Sequence, residues 1–202
     1  HNTSNFATNF CGIYKAAVAG TTTISNNAIG GSSAKSINAS ATATQVQKVY
    51  GINFLGTAAT ATISGNTIAN LSNSGTEANT TFVNGITFTN DATNTIDAIT
   101  NNTIHDLTSS NASFGTGNSS SVIGISINDV NFWRQKNISG NTIYNLSNTH
   151  TSFAGNIMGI YQKGGALIST ISGNFVYNLF VTGVSSTSAK MYGIYPAQGL
   201  VT

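Results

Sequence analysis

The stretch ISGNTIANLS at residues 63–72 decides the fold of this 202-residue chain, because variants of it recur along the sequence. Later copies occupy residues 99–108, 138–147 and 171–180, and a shorter one occupies residues 24–29. A Gly-Ile pair precedes each copy, and a sixth pair follows the last copy. The glycines of these pairs are Gly12, Gly51, Gly85, Gly124, Gly159 and Gly193. Subtracting their residue numbers gives steps of 39, 34, 39, 35 and 34 residues. Self-similarity at such a period indicates a repeat architecture.

Apolar residues within the repeated unit lie at odd intervals. Ile63 and Ile68 are five residues apart, whereas residues on one face of a straight strand are an even number apart. The interval becomes consistent if the backbone turns a corner at Gly65-Asn66, and a second corner is needed near Asn70. Glycine and asparagine tolerate the left-handed conformations of such corners. The pattern predicts an all-β parallel β-helix, with about five coils of 34–39 residues and three short strands per coil.

The Gly-Ile segments show the period-two pattern of β-strands. In the second of them, Tyr50, Ile52 and Phe54 are expected on one face, with Gly51 and Asn53 on the other. We therefore expect the repeat glycines to form a smooth strip facing away from the core. On the core side we expect a stacked column of isoleucines: Ile52, Ile86, Ile125, Ile160 and Ile194.

Stacked coils place equivalent residues over one another at about 4.8 Å. The predicted ladder at the first corner comprises Asn27, Asn66, Asn102, Asn141 and Asn174. The predicted ladder at the second corner comprises Asn70, Asp106, Asn145 and Asn178. Both ladders are expected to be buried and continuous, because stacked amides satisfy backbone groups that a bend leaves unpaired.

The N-x-I-x-N-L pattern resembles the asparagine-ladder coils of secreted right-handed β-helix proteins. The longer I-S-G-N-T-I-x-N-L-S unit is similar to repeats in large surface proteins of Bacteroidota that are exported by the type IX secretion route. The resemblance covers nearly all of the chain. It implies an extracellular or cell-surface location, but it does not define the activity, because adhesins, lyases and phage spikes share such coils.

Composition excludes several classes of function. Charged residues are 6% of the chain, far below the roughly 25% of ordinary globular proteins. The seven Lys and Arg residues form no cluster, so nucleic-acid binding is not predicted. No apolar run approaches the length of a membrane span. The single Cys11 excludes an internal disulfide framework.

Acidic residues show no catalytic spacing. Cleavage of glycosidic bonds generally uses two carboxylates, and only the weak Asp91/Asp97 couple lies at short spacing. His105 adjoins Asp106 and lies in an outward column shared with Ala69, Tyr144 and Tyr177. Neighbours across a corner, such as His105 and Asp106, are not expected to converge. The other acids are Glu77 and Asp129. We therefore predict no catalytic residue, no cofactor and no metal site.

Aromatic residues provide the candidate contact surface. Tyrosines are expected to point outward at Tyr14, Tyr161, Tyr195, Tyr144 and Tyr177, and one dense aromatic-cation cluster includes Trp133 and Arg134. Exposed tyrosines give contact area for sugars or proteins at a small entropy cost. The alternative is that neighbouring loops cover these rings.

Taken together, these patterns favour a non-enzymatic, secreted structural or adhesive β-helix, with residues 1–202 as a single segment. One alternative is a carbohydrate-binding or polysaccharide-degrading module, and another is an ice-binding solenoid, suggested by threonine pairs at 21/23, 60/62 and 93/95. Neither end shows the capping repeat typical of solenoids. We therefore expect flanking repeats of a longer chain, or end-to-end stacking of identical copies. Surface glycans are the other expected partner.

Overall fold

The computed structural model describes residues 8–17, 19–40, 46–75, 81–91, 96–112, 114–129, 135–164, 169–183 and 185–197. A short 3-10 helix spans Gly117–Ser119. The strands in chain order are β1 (Thr8–Ala17), β2 (Thr21–Ser25), β3 (Ala28–Ile29), β4 (Ile37–Ala39), β5 (Gln47–Gly56), β6 (Thr60–Ser64), β7 (Thr67–Ala69), β8 (Leu71–Asn73), β9 (Phe82–Asn90), β10 (Ile96–Thr100), β11 (Thr103–Ser109), β12 (Val122–Asn128), β13 (Gln135–Ser139), β14 (Thr142–Asn148), β15 (Asn156–Lys163), β16 (Thr170–Ser172), β17 (Phe175–Val181) and β18 (Lys190–Pro196).

These strands form three sheets that run along the solenoid. The first sheet has the order β1-β5-β9-β12-β15-β18, and the second has the order β2-β6-β10-β13-β16. The third sheet has the order β3-β7-β11-β14-β17, with β4 and β8 paired beside this path. Every strand pairing among the described residues is parallel. The chain is therefore a parallel β-solenoid with three strands per coil and about four turns, which confirms the predicted fold class.

Both predicted corners have left-handed backbone. At the first corner the residue before each ladder asparagine has a positive φ: Asn26, Gly65, Asn101, Gly140 and Gly173. At the second corner φ lies between 53° and 57° for the ladder residues themselves: Asn70, Asp106, Asn145 and Asn178. Glycine, asparagine and aspartate adopt this conformation at least cost. The corner residues therefore explain why each repeat bends at the same two places.

Side chains of the Gly-Ile strands do not alternate regularly between the two faces of the sheet. Val49 and Ile52 both belong to the hydrophobic core, although they are three residues apart and a regular strand would place them on opposite faces. Tyr50 lies outside that core and packs its ring edge-on against Phe82. The pleat is therefore interrupted at Gly51, whose residue is also skipped in the pairing of β5 with β9.

The repeat glycines face the interior, so the predicted outward strip of glycines is wrong. A Cβ atom on Gly51 would lie 2.5 Å from Cγ2 of Ile68 and 2.6 Å from the carbonyl oxygen of Gly85. The glycines of the next coils meet the same two neighbours, a branched side chain of the third sheet and the next glycine carbonyl. Only glycine fits here, because the first and third sheets approach each other at this position.

The predicted isoleucine column is confirmed by the register of the first sheet. Ile52 pairs with Ile86, and the column continues through the next strands: Ile125, Ile160 and Ile194. The first four side chains are fully buried, and Ile194 on β18 is 44% exposed. Each complete burial contributes roughly 1.5–3 kcal/mol. The column is therefore a main source of stability for the coil stack.

The first ladder is continuous, as predicted. The Nδ2 group of Asn66 donates to Oδ1 of Asn102 at 2.9 Å, and Asn102 donates in the same way to Asn141 at 3.0 Å. The Oδ1 atom also accepts the backbone N–H of the preceding ladder residue. Each Nδ2 further donates to a carbonyl one coil back, as Asn102 does to Ile63. These three asparagines are fully buried, while Asn27 and Asn174 at the two ends are half-buried.

The second ladder was predicted to be buried, but most of its side chains are not. Asn70 is 8% exposed, Asp106 and Asn145 are half-buried, and Asn178 is exposed. Asn145 donates to Oδ1 of Asp106, and Asn178 donates to Oδ1 of Asn145. The amide of Asn70 instead donates to the carbonyl of Gly31. Their shared structural feature is the left-handed φ, which their own backbone supplies and which does not require the side chain to be buried.

Replacing Gly124 with alanine should lower the free energy of unfolding by about 1–3 kcal/mol, the usual cost of overpacking. The new methyl group would meet Ile143 and the Gly159 carbonyl at 2.6 Å. Gly193→Ala is the matched control, because no atom of the described residues lies within 4 Å of a Cβ there. Urea unfolding of both variants gives the comparison. Equal stability of the two would contradict the inward-facing glycine.

Replacing Asn141 with leucine should cost about 2–6 kcal/mol, because the Ile99 carbonyl and the Asn102 N–H lose their partners in the interior. Asn137→Leu is the control, since Asn137 lies on the same strand region with its side chain exposed. Thermal unfolding should show a large loss for the first variant only. If both variants unfold like the parent protein, the ladder does not stabilise the coils.

Candidate functional site

An outward column of the third sheet carries a stack of three rings. His105 pairs with Tyr144, and Tyr144 pairs with Tyr177, across β11, β14 and β17. The ring centroids are 4.8 Å and 5.0 Å apart, with interplanar angles of 4° and 2°. This spacing is the distance between neighbouring strands. We call these three residues the aromatic stack, and their common column is as predicted.

The aromatic stack ends at His105 because its partner in the preceding coil is Ala69. The small side chain leaves a cleft of about 460 Å³ beside the imidazole. We call it the stack-end cleft, and its lining includes Gly30, Gly31, Ala69, Asn70, His105 and Asp106. The cleft therefore occupies the place that a further ring of the column would fill.

His105 and Asp106 converge on the wall of this cleft, contrary to expectation. Nδ1 of His105 lies 2.6 Å from Oδ2 of Asp106. The left-handed φ of Asp106, 54°, turns the backbone between the two residues and brings their side chains together. Oδ1 of Asp106 accepts a hydrogen bond from Asn145. The carboxylate is thus held on both oxygens while its side chain remains 41% exposed.

The surroundings of the central ring of the stack move the pKa of its phenol further above neutral pH. Desolvation raises the pKa of Tyr144, and the neighbouring Tyr177 phenol and Asp106 carboxylate raise it further. An un-ionised phenol can both donate and accept a hydrogen bond. The hydroxyl of Tyr144 is therefore available to a polar ligand at neutral pH.

The other predicted tyrosines do not form a continuous surface. Tyr14 is 58% exposed, but its partner in the next coil is Asn53. Tyr161 stacks on Tyr195 at 6.1 Å. Tyr161 is nevertheless buried, since it packs with Ile123 in a small cluster on the outer face of the first sheet. Covering by neighbouring segments, the alternative considered from the sequence, applies to Tyr161. Its stacking partner Tyr195 is 37% exposed.

The second candidate cluster, which sequence analysis missed, is a set of buried charges. Asp97 on β10 and Lys136 on β13 are register partners, and Asp129 follows β12. Nζ of Lys136 lies 3.1 Å from Oδ2 of Asp97 and 2.5 Å from Oδ2 of Asp129. The side chains are at most 2% exposed. One signal existed, because Asp97 and Lys136 each precede an inward isoleucine, Ile99 and Ile138, by two residues.

Burial raises the pKa of Asp129, and this effect outweighs the lowering by Lys136 and by the Asn90 hydrogen bond. The nearby Asp97 raises it again. Burial therefore shifts this carboxyl toward its protonated form.

Some predicted residues are not placed. Trp133, Arg134 and Glu77 lie outside the described residues. Within the described part of the chain, no group of three or more His, Cys, Asp and Glu side chains has metal-binding geometry. In the same residues no helix has the length and apolar character needed to cross a membrane. Comparison of the chain with family models, curated proteins and solved structures gives no match.

The Tyr144–Tyr177 contact should couple the two residues energetically by about 0.5–1.5 kcal/mol, the usual value for aromatic pairs. A double-mutant cycle with Tyr144→Ala and Tyr177→Ala measures this coupling through the free energy of unfolding. The control cycle combines Tyr144→Ala with Tyr14→Ala on the first sheet, where coupling near zero is expected. Strictly additive effects in the first cycle would argue against the stack in solution.

Proposed function

We propose that this chain is a segment of an extracellular adhesive β-solenoid, and that the stack-end cleft binds ring-shaped polar ligands of the surface-glycan class. The observation that carries the proposal is the open face of His105 at the end of the aromatic stack. The stack continues with rings at 4.8 Å and 5.0 Å in one direction. In the other direction it meets the cleft.

The cleft combines one ring face with polar groups, as a sugar site requires. A pyranose ring presents C–H groups on one face, which pack against an aromatic face, and hydroxyls at its rim. Asp106 supplies an exposed carboxylate oxygen acceptor, and Asn70 adds a polar group on the cleft wall. A small number of placed polar groups around an apolar wall is typical of ligand sites.

The solenoid itself supports the structural part of the proposal. Stacked coils with few charges make a long surface on which the same column recurs at each turn. The resemblance of the repeated unit to secreted surface proteins of Bacteroidota favours an extracellular location. Stacking on flanking repeats of a longer chain, or on a second copy, is part of the proposal.

A second candidate function is cleavage of a polysaccharide. The observation that favours it is the His105–Asp106 pair at 2.6 Å, because a paired imidazole and carboxylate can move protons at a bound ligand.

Ice binding gains no such support. Thr62 pairs with Thr23 on one side but with Ala98 on the other, and Ala98 pairs with Asn137. Thr93 and Thr95 lie outside the described residues.

Binding of the parent protein to a panel of immobilised oligosaccharides tests the proposal. His105→Ala should weaken binding about tenfold, which corresponds to about 1.4 kcal/mol for one aromatic contact. Ala69→Tyr should abolish binding by filling the cleft with the missing ring, while the fold is retained because Tyr144 and Tyr177 occupy the same column. Tyr14→Ala is the control and should bind like the parent.

Two outcomes would count against this proposal. Unchanged binding by Ala69→Tyr would place the ligand elsewhere on the surface. Release of soluble sugar fragments from any panel member, lost in Asp106→Asn, would replace the adhesive role by a catalytic one. Asparagine is the natural residue at three of the four second-corner positions, so this variant should fold.

A further inference from the structure

The buried cluster of Lys136, Asp97 and Asp129 places an amine against a carboxyl group in the interior. Nζ of Lys136 lies 2.5 Å from Oδ2 of Asp129. Nζ also lies 5.5 Å from the centre of the Phe88 ring, which itself stacks on Phe54. Lysine is almost never fully buried unless it is paired. The pairing therefore allows this side chain to lie in the interior, and it holds the amine against a carboxyl group.

The amine lies between the two carboxyl groups. Nζ of Lys136 is 3.1 Å from Oδ2 of Asp97 and 2.5 Å from Oδ2 of Asp129, and the three side chains are at most 2% exposed. Holding such a group of charges in the interior is costly even when they are paired. The shorter contact places the nitrogen against a carboxyl group with which an amine can condense.

The two carboxyl groups are held differently. Asp97 uses Oδ1 to accept hydrogen bonds from the Ala61 N–H at 3.0 Å and from Nδ2 of Asn90 at 3.1 Å. Two donors of this kind stabilise a carboxylate. Asp129 uses Oδ1 to accept the backbone N–H of Asn90 at 2.9 Å. That N–H is placed to stabilise negative charge that develops on Oδ1.

From this geometry we infer that Lys136 and Asp129 become joined by an intramolecular amide bond between Nζ and Cγ. Asp97 transfers the protons of the reaction. The inference is independent of the glycan site, which lies on the outer face of the third sheet. It assigns a covalent modification site to the corner between the first and second sheets.

The reaction needs no co-reactant. The Lys136 ammonium first gives one proton to the Asp97 carboxylate, and Asp129 reacts as the protonated acid, toward which burial shifts its pKa. The nitrogen lone pair attacks Cγ of Asp129, and the carbonyl electrons move to Oδ1. The hydroxyl of Asp129 then departs as water with the proton held by Asp97, while Asp97 takes the second proton from the nitrogen. The products are one amide, one water and neutral Asp97, so atoms and charge balance.

The bond would remove the costliest feature of the interior. It replaces an amine and an acid that are both desolvated with a neutral amide. It would also close a covalent ring across the corner between residues 129 and 136, which restricts the unfolded chain. The proximity of the groups in the folded coil supplies the effective concentration that the reaction needs.

The intact mass of the purified folded chain tests the inference. We expect a mass lower than the sequence mass by one water molecule, and a protease-derived peptide that joins Asp129 to Lys136. Lys136→Ala, Asp129→Ala and Asp97→Asn should each show the full sequence mass. Lys163→Ala is the matched control, because Lys163 is exposed on the next coil, and it should keep the loss of water.

The intact mass of the parent protein tests the inference even if a variant fails to fold. A full sequence mass for the folded parent would overturn the inference. Loss of water that persists in Lys136→Ala, or that hydroxylamine reverses, would indicate a succinimide and would also overturn it. A peptide linking Lys136 to Asp97 instead of Asp129 would refute the assigned roles.

Discussion

The structure depends on the buried amide of the first-corner asparagine. A chain that bends in every coil leaves backbone N–H and C=O groups unpaired at the bend, and in the interior each such group is costly. The asparagine side chain resolves this, because Oδ1 accepts from the coil before and Nδ2 donates both to the coil after and to a carbonyl behind. The bonds run along the solenoid axis, so each coil fixes the position of the next.

Because the coils are aligned, equivalent side chains pack on one another in columns. Isoleucines of the first sheet lie directly over one another, and the repeat glycines allow the third sheet to approach. The two requirements are linked, since a side chain at Gly85 would meet both Ile104 and the Gly124 carbonyl. One bulky substitution would therefore disturb the contact between sheets and the contact between coils together.

The same alignment explains both candidate sites. On the outer face, ring-bearing residues in one column form a stack with strand spacing, and the change from His105 to Ala69 produces the cleft. In the interior, Asp97 and Lys136 meet because they occupy one column of the second sheet. Charges that are distant in sequence are then brought into contact in the interior. Both candidate sites therefore lie where a column changes residue type.

The repeat period, the two corners and the first ladder were determined by the sequence alone, because left-handed turns at Gly65 and Asn70 are local requirements that glycine and asparagine meet. The outward column of His105, Tyr144 and Tyr177 followed from the same repeat. The burial of each ladder did not follow, since exposure depends on what packs outside the corner.

Only the tertiary structure decided which way the glycines face, because the interrupted pleat at Gly51 comes from the approach of Ile68 on another sheet. It likewise decided that His105 meets Asp106, through the backbone turn at position 106. The position of Asp129 beside Lys136 depends on the corner between two sheets, which no periodicity specifies. Residue type determines the local conformation, whereas contacts between sheets depend on the register and closure of the whole coil.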